Sequence, residues 1–227
     1  MEHHWHREID NLKVEIIKLG VLVQQQIQKA IDALERQDLE LANEVINGDK
    51  KIDEYEIKIE EECLKILALY QPVASELRFV ITVLKMNNDL ERMGDLAANI
   101  ARRAKFLSKR NKIELIEEFN PISAKVQLMV KTALDSLVNT DTAQARIVIS
   151  SDDEIDKLTK QLLKKTIKAI EQNCQNVKEY FSIRSISKNL ERIADSATNI
   201  AEDVIYLCTG EIVRHQEELS ADDQGDE

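Results

Sequence analysis

One stretch occurs twice in this chain. Leu90-Glu91-Arg92-Met93-Gly94-Asp95-Leu96-Ala97-Ala98-Asn99-Ile100-Ala101 returns one hundred positions later as Leu190-Glu191-Arg192-Ile193-Ala194-Asp195-Ser196-Ala197-Thr198-Asn199-Ile200-Ala201. A duplication on this scale predicts a fold assembled from two like units. Neither copy contains Pro, and the composition favours a helix. At about 100° per residue, Glu91, Asp95 and Asn99 share one face, with Arg92 beside them. Leu90, Met93, Gly94, Ala97, Ala98 and Ala101 lie on the opposite side, where the small residues let another helix approach closely. A helical core needs only the apolar side to recur. Recurrence of Glu, Arg, Asp and Asn on the polar side therefore points to a function of that side.

The rest of the chain repeats as well. Ile9, Leu12, Ile16, Leu19, Val23, Ile27, Ala30 and Leu34 step by threes and fours, which predicts a long amphipathic helix. Asp38 then caps a second helix carrying Leu41, Val45, Ile52, Ile59, Ile66 and Leu69 up to the break at Gln71-Pro72. A third helix runs from near Ala74 to Ser108. Asn120-Pro121 reads as a cap followed by Pro at the first helical position, and the pattern restarts. Ala133-Leu134-Asp135, Leu137, Asp141 and Ala145 match Ala30-Ile31-Asp32, Leu34, Asp38 and Ala42 at a shift of 103. The shift falls to 100 by the last helix, so three residues are missing near Asn173 to Lys178. With only 5 Gly and 2 Pro, strand and turn signals are scarce. The expectation is an all-α fold of six long antiparallel helices in two tandem three-helix bundles. Residues 9–112 and 113–211 form the repeats, after a flexible 1–8 and before an acidic, disordered 212–227.

The totals exclude some functions. A net charge of −11 argues against nucleic-acid binding, which depends on neutralising phosphates with Lys and Arg. No apolar run reaches the roughly 20 residues of a membrane span, and the His-rich start lacks a signal-peptide core, so no membrane insertion and a cytoplasmic location are expected. Cys63, Cys174 and Cys208 are odd in number and unpaired by motif, which reads as free, mostly buried thiols. Histidines sit only at positions 3, 4, 6 and 215, so no helix can supply the Glu-x-x-His pairs of a di-iron bundle. There is no Gly-rich phosphate loop and no nucleophile–base arrangement. A non-enzyme is expected.

The second copy, continuing through Glu202-Asp203-Val204-Ile205-Tyr206-Leu207-Cys208-Thr209-Gly210-Glu211, resembles the hallmark segment of the PhoU family of phosphate-uptake regulators. The first copy, preceded by Gln71-Pro72-Val73-Ala74-Ser75-Glu76-Leu77-Arg78, resembles the matching segment of that family's first half. One departure is Ser196, where members often carry His. The resemblance implies two bundles related by pseudo-twofold symmetry. It further implies a negative regulator that contacts the ATPase subunit of the phosphate ABC transporter and the membrane sensor histidine kinase, and that forms homodimers.

Each repeat also carries acid pairs at four-residue spacing: Asp49/Asp53 with Glu91/Asp95, and Asp152/Asp156 with Glu191/Asp195. Such like-charge pairs cost an isolated helix only about 0.2–0.5 kcal/mol, so a solvated polar face explains them as readily as a site does. As a site, clustered carboxylates suit hard divalent cations. No cofactor is required; the family resemblance implies that these eight positions hold a divalent metal or multinuclear iron or zinc clusters. The alternative to regulation is accordingly a carboxylate-ligated metal-storage or metalloenzyme bundle. Arg92, Asn99, Arg192 and Asn199 are the expected partner-binding residues. The basic run after Arg102 reads as a favourable helix C-terminus, and Arg78 and Arg184 as exposed arginines near helix starts.

Overall fold

The computed structural model describes residues 2–110, 119–172 and 174–213, with side chains from His6 onward. Regular structure among these residues is helical: α1 Glu2–Glu35, α2 Leu39–Tyr70, α3 Ala74–Leu107, α4 Phe119–Asn139, α5 Thr142–Gln172 and α6 Val177–Thr209, with a 3-10 turn Cys174–Asn176 before α6. None of these helices is long and apolar enough to cross a membrane.

The turns show the duplication most directly. Gln37 closes α1 with φ 54° and Thr140 closes α4 with φ 50°, and the two positions are counterparts. Each is followed by an aspartate that caps the next helix. Asp38 Oδ1 accepts from Leu41 N at 2.9 Å, and Asp141 Oδ1 accepts from Ala143 N at 2.9 Å and Gln144 N at 3.2 Å. The backbone N–H groups of Asp38 and Asp141 reach back to Ala33 O and Ser136 O, both at 2.9 Å. An i-to-i−5 bond after a left-handed residue satisfies helix carbonyls that would otherwise lack a donor.

Each repeat is a three-helix bundle. α1, α2 and α3 pack on one another, α6 packs against both α4 and α5, and α4 packs against α5. The predicted stripe of α1 is the core: Leu12, Ile16, Leu19, Val23, Ile27, Ala30 and Leu34 are buried. On α2, Val45, Ile52, Cys63 and Ile66 are buried, while Leu69 is exposed. Between the halves, α3 meets α6 and α1 meets α4, so each contact joins counterparts, as a pseudo-twofold axis requires.

Some expectations are corrected. Residues 2–8, read as flexible, are helical: α1 starts at Glu2, nothing in the segment breaks a helix, and Glu8 lies 3.8 Å from Lys65 of α2. Asn120 and Pro121 do not begin α4, because Phe119 is already helical and its ring is fully buried, drawing the chain into the bundle earlier. Only Cys63 is a buried thiol; Cys174 and Cys208 are exposed. The tail from 214 lies outside the described residues, as does the junction at 111–118.

Candidate functional site

The carboxylate pairs lie in two groups, one per repeat, across the α2–α3 and α5–α6 packing, near enough for their charges to act on one another. Burial first, then Asp95 and Asp53, raise the Asp49 carboxyl above its ordinary value, while Arg102 opposes the shift. Glu91 is raised by burial and then by Asp95, Asp53, Glu56 and Asp49. In the second repeat, burial followed by Asp195, Asp156, Asp153 and Glu191 pushes Asp152 up to about 6. Asp195 is raised by burial and then Glu191; Lys188 and Arg92 act in the other direction. Asp195 is exposed by area, yet the protein around it strips enough water to make burial the leading cause. These are groups whose ionised forms are held close together against their mutual repulsion.

Sequence reasoning missed several participants. Glu56 joins the first cluster, its carboxyl raised by burial, Glu60 and Asp53. Arg102 sits at the edge of the same cluster, its Nη2 3.6 Å from Asp49 Oδ2, while its Nη1 donates to Asn99 Oδ1 at 2.7 Å. Lys105 donates to Asn43 Oδ1 at 2.7 Å. The basic end of α3 therefore pairs with α2 as well as completing a helix dipole. The available signal was the unlike pair Arg102 and Glu202 at counterpart positions.

The seam between halves takes up other residues. Asn199 Nδ2 donates to Asp89 Oδ1 at 3.1 Å, Lys85 lies 3.9 Å from the buried Asp203, and Arg110 lies 3.8 Å from Glu179. Going from 85 to 89 on α3, and on to 110 just past its end, accompanies 203 to 199 to 179 along α6. Position 94 thus lies level with 194, and the duplicated stretch crosses itself at the pseudo-twofold axis. A Cβ on Gly94 would stand 2.7 Å from Ile52 Cδ1, which is why α2 can pack so closely there. Arg92 is exposed, and its charge reaches Asp195 of the other repeat. Asn199 does not face outward as expected, because its amide is used within the seam. Nor is Arg78 an exposed arginine: it is half-buried, 5.7 Å from the Tyr206 ring and against Gly210. Arg184 is half-buried too, with Nη1 lacking a hydrogen-bond partner.

A family model described as the PhoU domain matches residues 16–104 and again 119–204, one match per repeat. The chain belongs to the PhoU family. It is 41% identical over 210 residues to a phosphate-specific transport system accessory protein PhoU homolog of Aquifex aeolicus, covering 92% of this chain and 95% of that protein. A Thermotoga maritima homolog is 35% identical, covering 91% of this chain and 90% of that protein. The crystal structure of PhoU from Pseudomonas aeruginosa superposes with a TM-score of 0.89 at 36% identity, covering 91% of this chain and all of that one. The phosphate transport system regulatory protein PhoU from Streptococcus pneumoniae gives 0.85 at 32% identity, covering 92% and 99%.

In this PhoU-family chain the donor chemistry of both clusters suits hard cations, and Asp49 Oδ1 is buried with no hydrogen-bond partner. Among the described residues, no three His, Cys, Asp or Glu side chains converge closely enough to hold a metal ion as they are placed. Holding a cation at either cluster would require its exposed carboxylates to rotate inward. Ser196, the departure from the family pattern, is buried on the core side of α6 and not in the cluster.

Proposed function

We propose that this PhoU-family chain is a non-enzymatic negative regulator of phosphate uptake and of phosphate-starvation signalling. It acts in the cytoplasm, as a homodimer, by contact with the ATPase subunit of the phosphate ABC transporter and with the membrane sensor histidine kinase. The observation that carries this reading is the match through both repeats to relatives named for accessory and regulatory roles in phosphate transport, over nearly their whole length. The exposed Arg92, Asp95 and Asp195, with the half-buried Glu91, Glu191 and Arg192, supply polar groups that the core does not require.

The experiment is a phosphate-starvation reporter in cells grown with ample phosphate, with co-purification of the transporter ATPase. Deleting the protein switches the reporter on. A silent reporter with unchanged uptake overturns the assignment. Replacing Arg92 and Arg192 with Ala keeps the fold within about 0.5 kcal/mol and weakens regulation. A double variant that regulates normally removes this surface but leaves the assignment.

A metal-binding reading is favoured by the raised carboxyl groups and by the unpartnered Asp49 Oδ1. Asp49, Asp53, Glu91 and Asp95 would hold one cation site, and Asp152, Asp156, Glu191 and Asp195 the other. A divalent cation would offset the like charges and tie α2 to α3 and α5 to α6.

A further inference from the structure

At one end of the molecule a cavity of about 370 Å³ opens where both repeats meet, between the N-terminal parts of α1 and α3 and the C-terminal parts of α4 and α6. Its walls are mainly apolar, from Ile9, Ile17 and Phe79 of the first repeat and Leu137, Val138 and Leu207 of the second. Val138 is 54% exposed, so apolar surface is presented to solvent at the mouth. Charge along the walls is confined to Lys13 and Glu76, of opposite sign. A cavity of this size and lining suits an apolar group. The duplication does not account for it. At the opposite end the counterparts of Ile16 and Phe79 are Phe119, whose ring is buried, and Glu179, which lies 3.8 Å from Arg110. The chain leaves α6 beside this cavity. Leu207 in the last turn lines it, Cys208 Sγ donates to Thr140 O of its wall at 3.5 Å, and Gly210 then turns the backbone with φ 78°. Val213 returns to pack against the core. Beyond Val213 the sequence runs Arg214 to Glu227, and Leu219 is the only large apolar residue in that segment.

We infer that this cavity is covered by the chain's own segment after Val213, with Leu219 seated among its apolar walls. The stretch from Val213 to Leu219 spans up to about 20 Å when extended, which is ample from the end of α6. A tether this short holds Leu219 at an effective concentration on the order of 1 mM, whereas a second copy or a free ligand arrives at micromolar concentration. That difference makes the tethered segment the occupant. The opposite signs of Lys13 and Glu76 leave recognition to the apolar walls and not to charge. A competing apolar ligand then binds only those molecules whose cavity is open, so its apparent affinity falls by that fraction.

The test is binding of the fluorescent dye anilinonaphthalene sulfonate to the full chain, followed by titration. Wild type is compared with Leu219→Asp, with Leu219→Met, and with Leu219→Asp combined with Val138→Asp; thermal melts verify that each variant is folded. Leu219→Asp should bind the dye at least about threefold more tightly than wild type, because a carboxylate does not stay against apolar walls and the cavity opens. Leu219→Met should bind as wild type does, since it keeps an apolar side chain of similar volume. Adding Val138→Asp to Leu219→Asp should remove the gain, which locates the dye in this cavity. Equal affinity in wild type and Leu219→Asp overturns the tethered occupant. If the wild-type affinity also falls as protein concentration rises, with a dimer in sedimentation velocity, a second copy covers the cavity instead. A gain that survives Val138→Asp places the dye elsewhere and overturns the assignment of the cavity.

Discussion

Replacing Asp152 with Asn tests whether the second cluster stores electrostatic repulsion. Burial and the acids around it raise Asp152 from 3.8 to about 6 in the folded protein. In the unfolded chain the group titrates near its ordinary value. Between about pH 4 and pH 6 the folded state therefore holds a proton that the unfolded state has lost, and stability falls as pH rises through this window. A shift of about two units is worth roughly 3 kcal/mol at most. The cluster is partly open to water, so screening leaves about 1–2 kcal/mol. The Asn side chain keeps the shape and carries no charge. Without metal, Asp152→Asn should be about 1–2 kcal/mol more stable than wild type at pH 7, with the gap closing below about pH 4. Urea unfolding from pH 4 to 7.5 in the presence of chelator measures it. An Asn variant no more stable than wild type at pH 7, or a gap that does not change with pH, would refute the reasoning.

Manganese, iron or zinc should raise the melting temperature, since a ligand bound only by the folded state stabilises it, and Glu191→Ala with Asp195→Ala should remove the second site's share. No thermal response to any of these ions, with no metal by elemental analysis, returns the clusters to solvated surface. Gly94→Val should cost about 1–3 kcal/mol or more, because Ile52 occupies the space beside the α-carbon; an unchanged urea midpoint contradicts the close α2–α3 approach. Asp38→Ala should cost about 1 kcal/mol by leaving Leu41 N without its acceptor, which equilibrium unfolding would show. Alkylation of the native protein should modify Cys174 and spare Cys63, whose burial pushes its thiol up to about 12; equal labelling would count against the core as described.

The alternation of apolar residues on α1 and the Asp38/Asp141 caps made the helices and their turns legible without coordinates, because helix periodicity and capping act over three to five neighbouring residues. The duplicated Leu90–Ala101 and Leu190–Ala201 likewise determined that there are two like units and which acids belong together. Which of their polar residues face outward could not be read this way. Asn99 and Asn199 occupy identical places in the repeat, yet one accepts from Arg102 on its own helix and the other is bound to Asp89 across the seam. Whether a polar side chain meets water, a neighbour's carboxylate or another helix depends on partners about a hundred residues away, brought close only when α3 and α6 cross. The same holds for ionisation: Asp49 and Asp152 are like residues at like positions, but only the first has a guanidinium at its edge. Local spacing determined the helices and the acid pairs. Long-range packing, which sets solvent access and charge separation, decided what each carboxylate experiences.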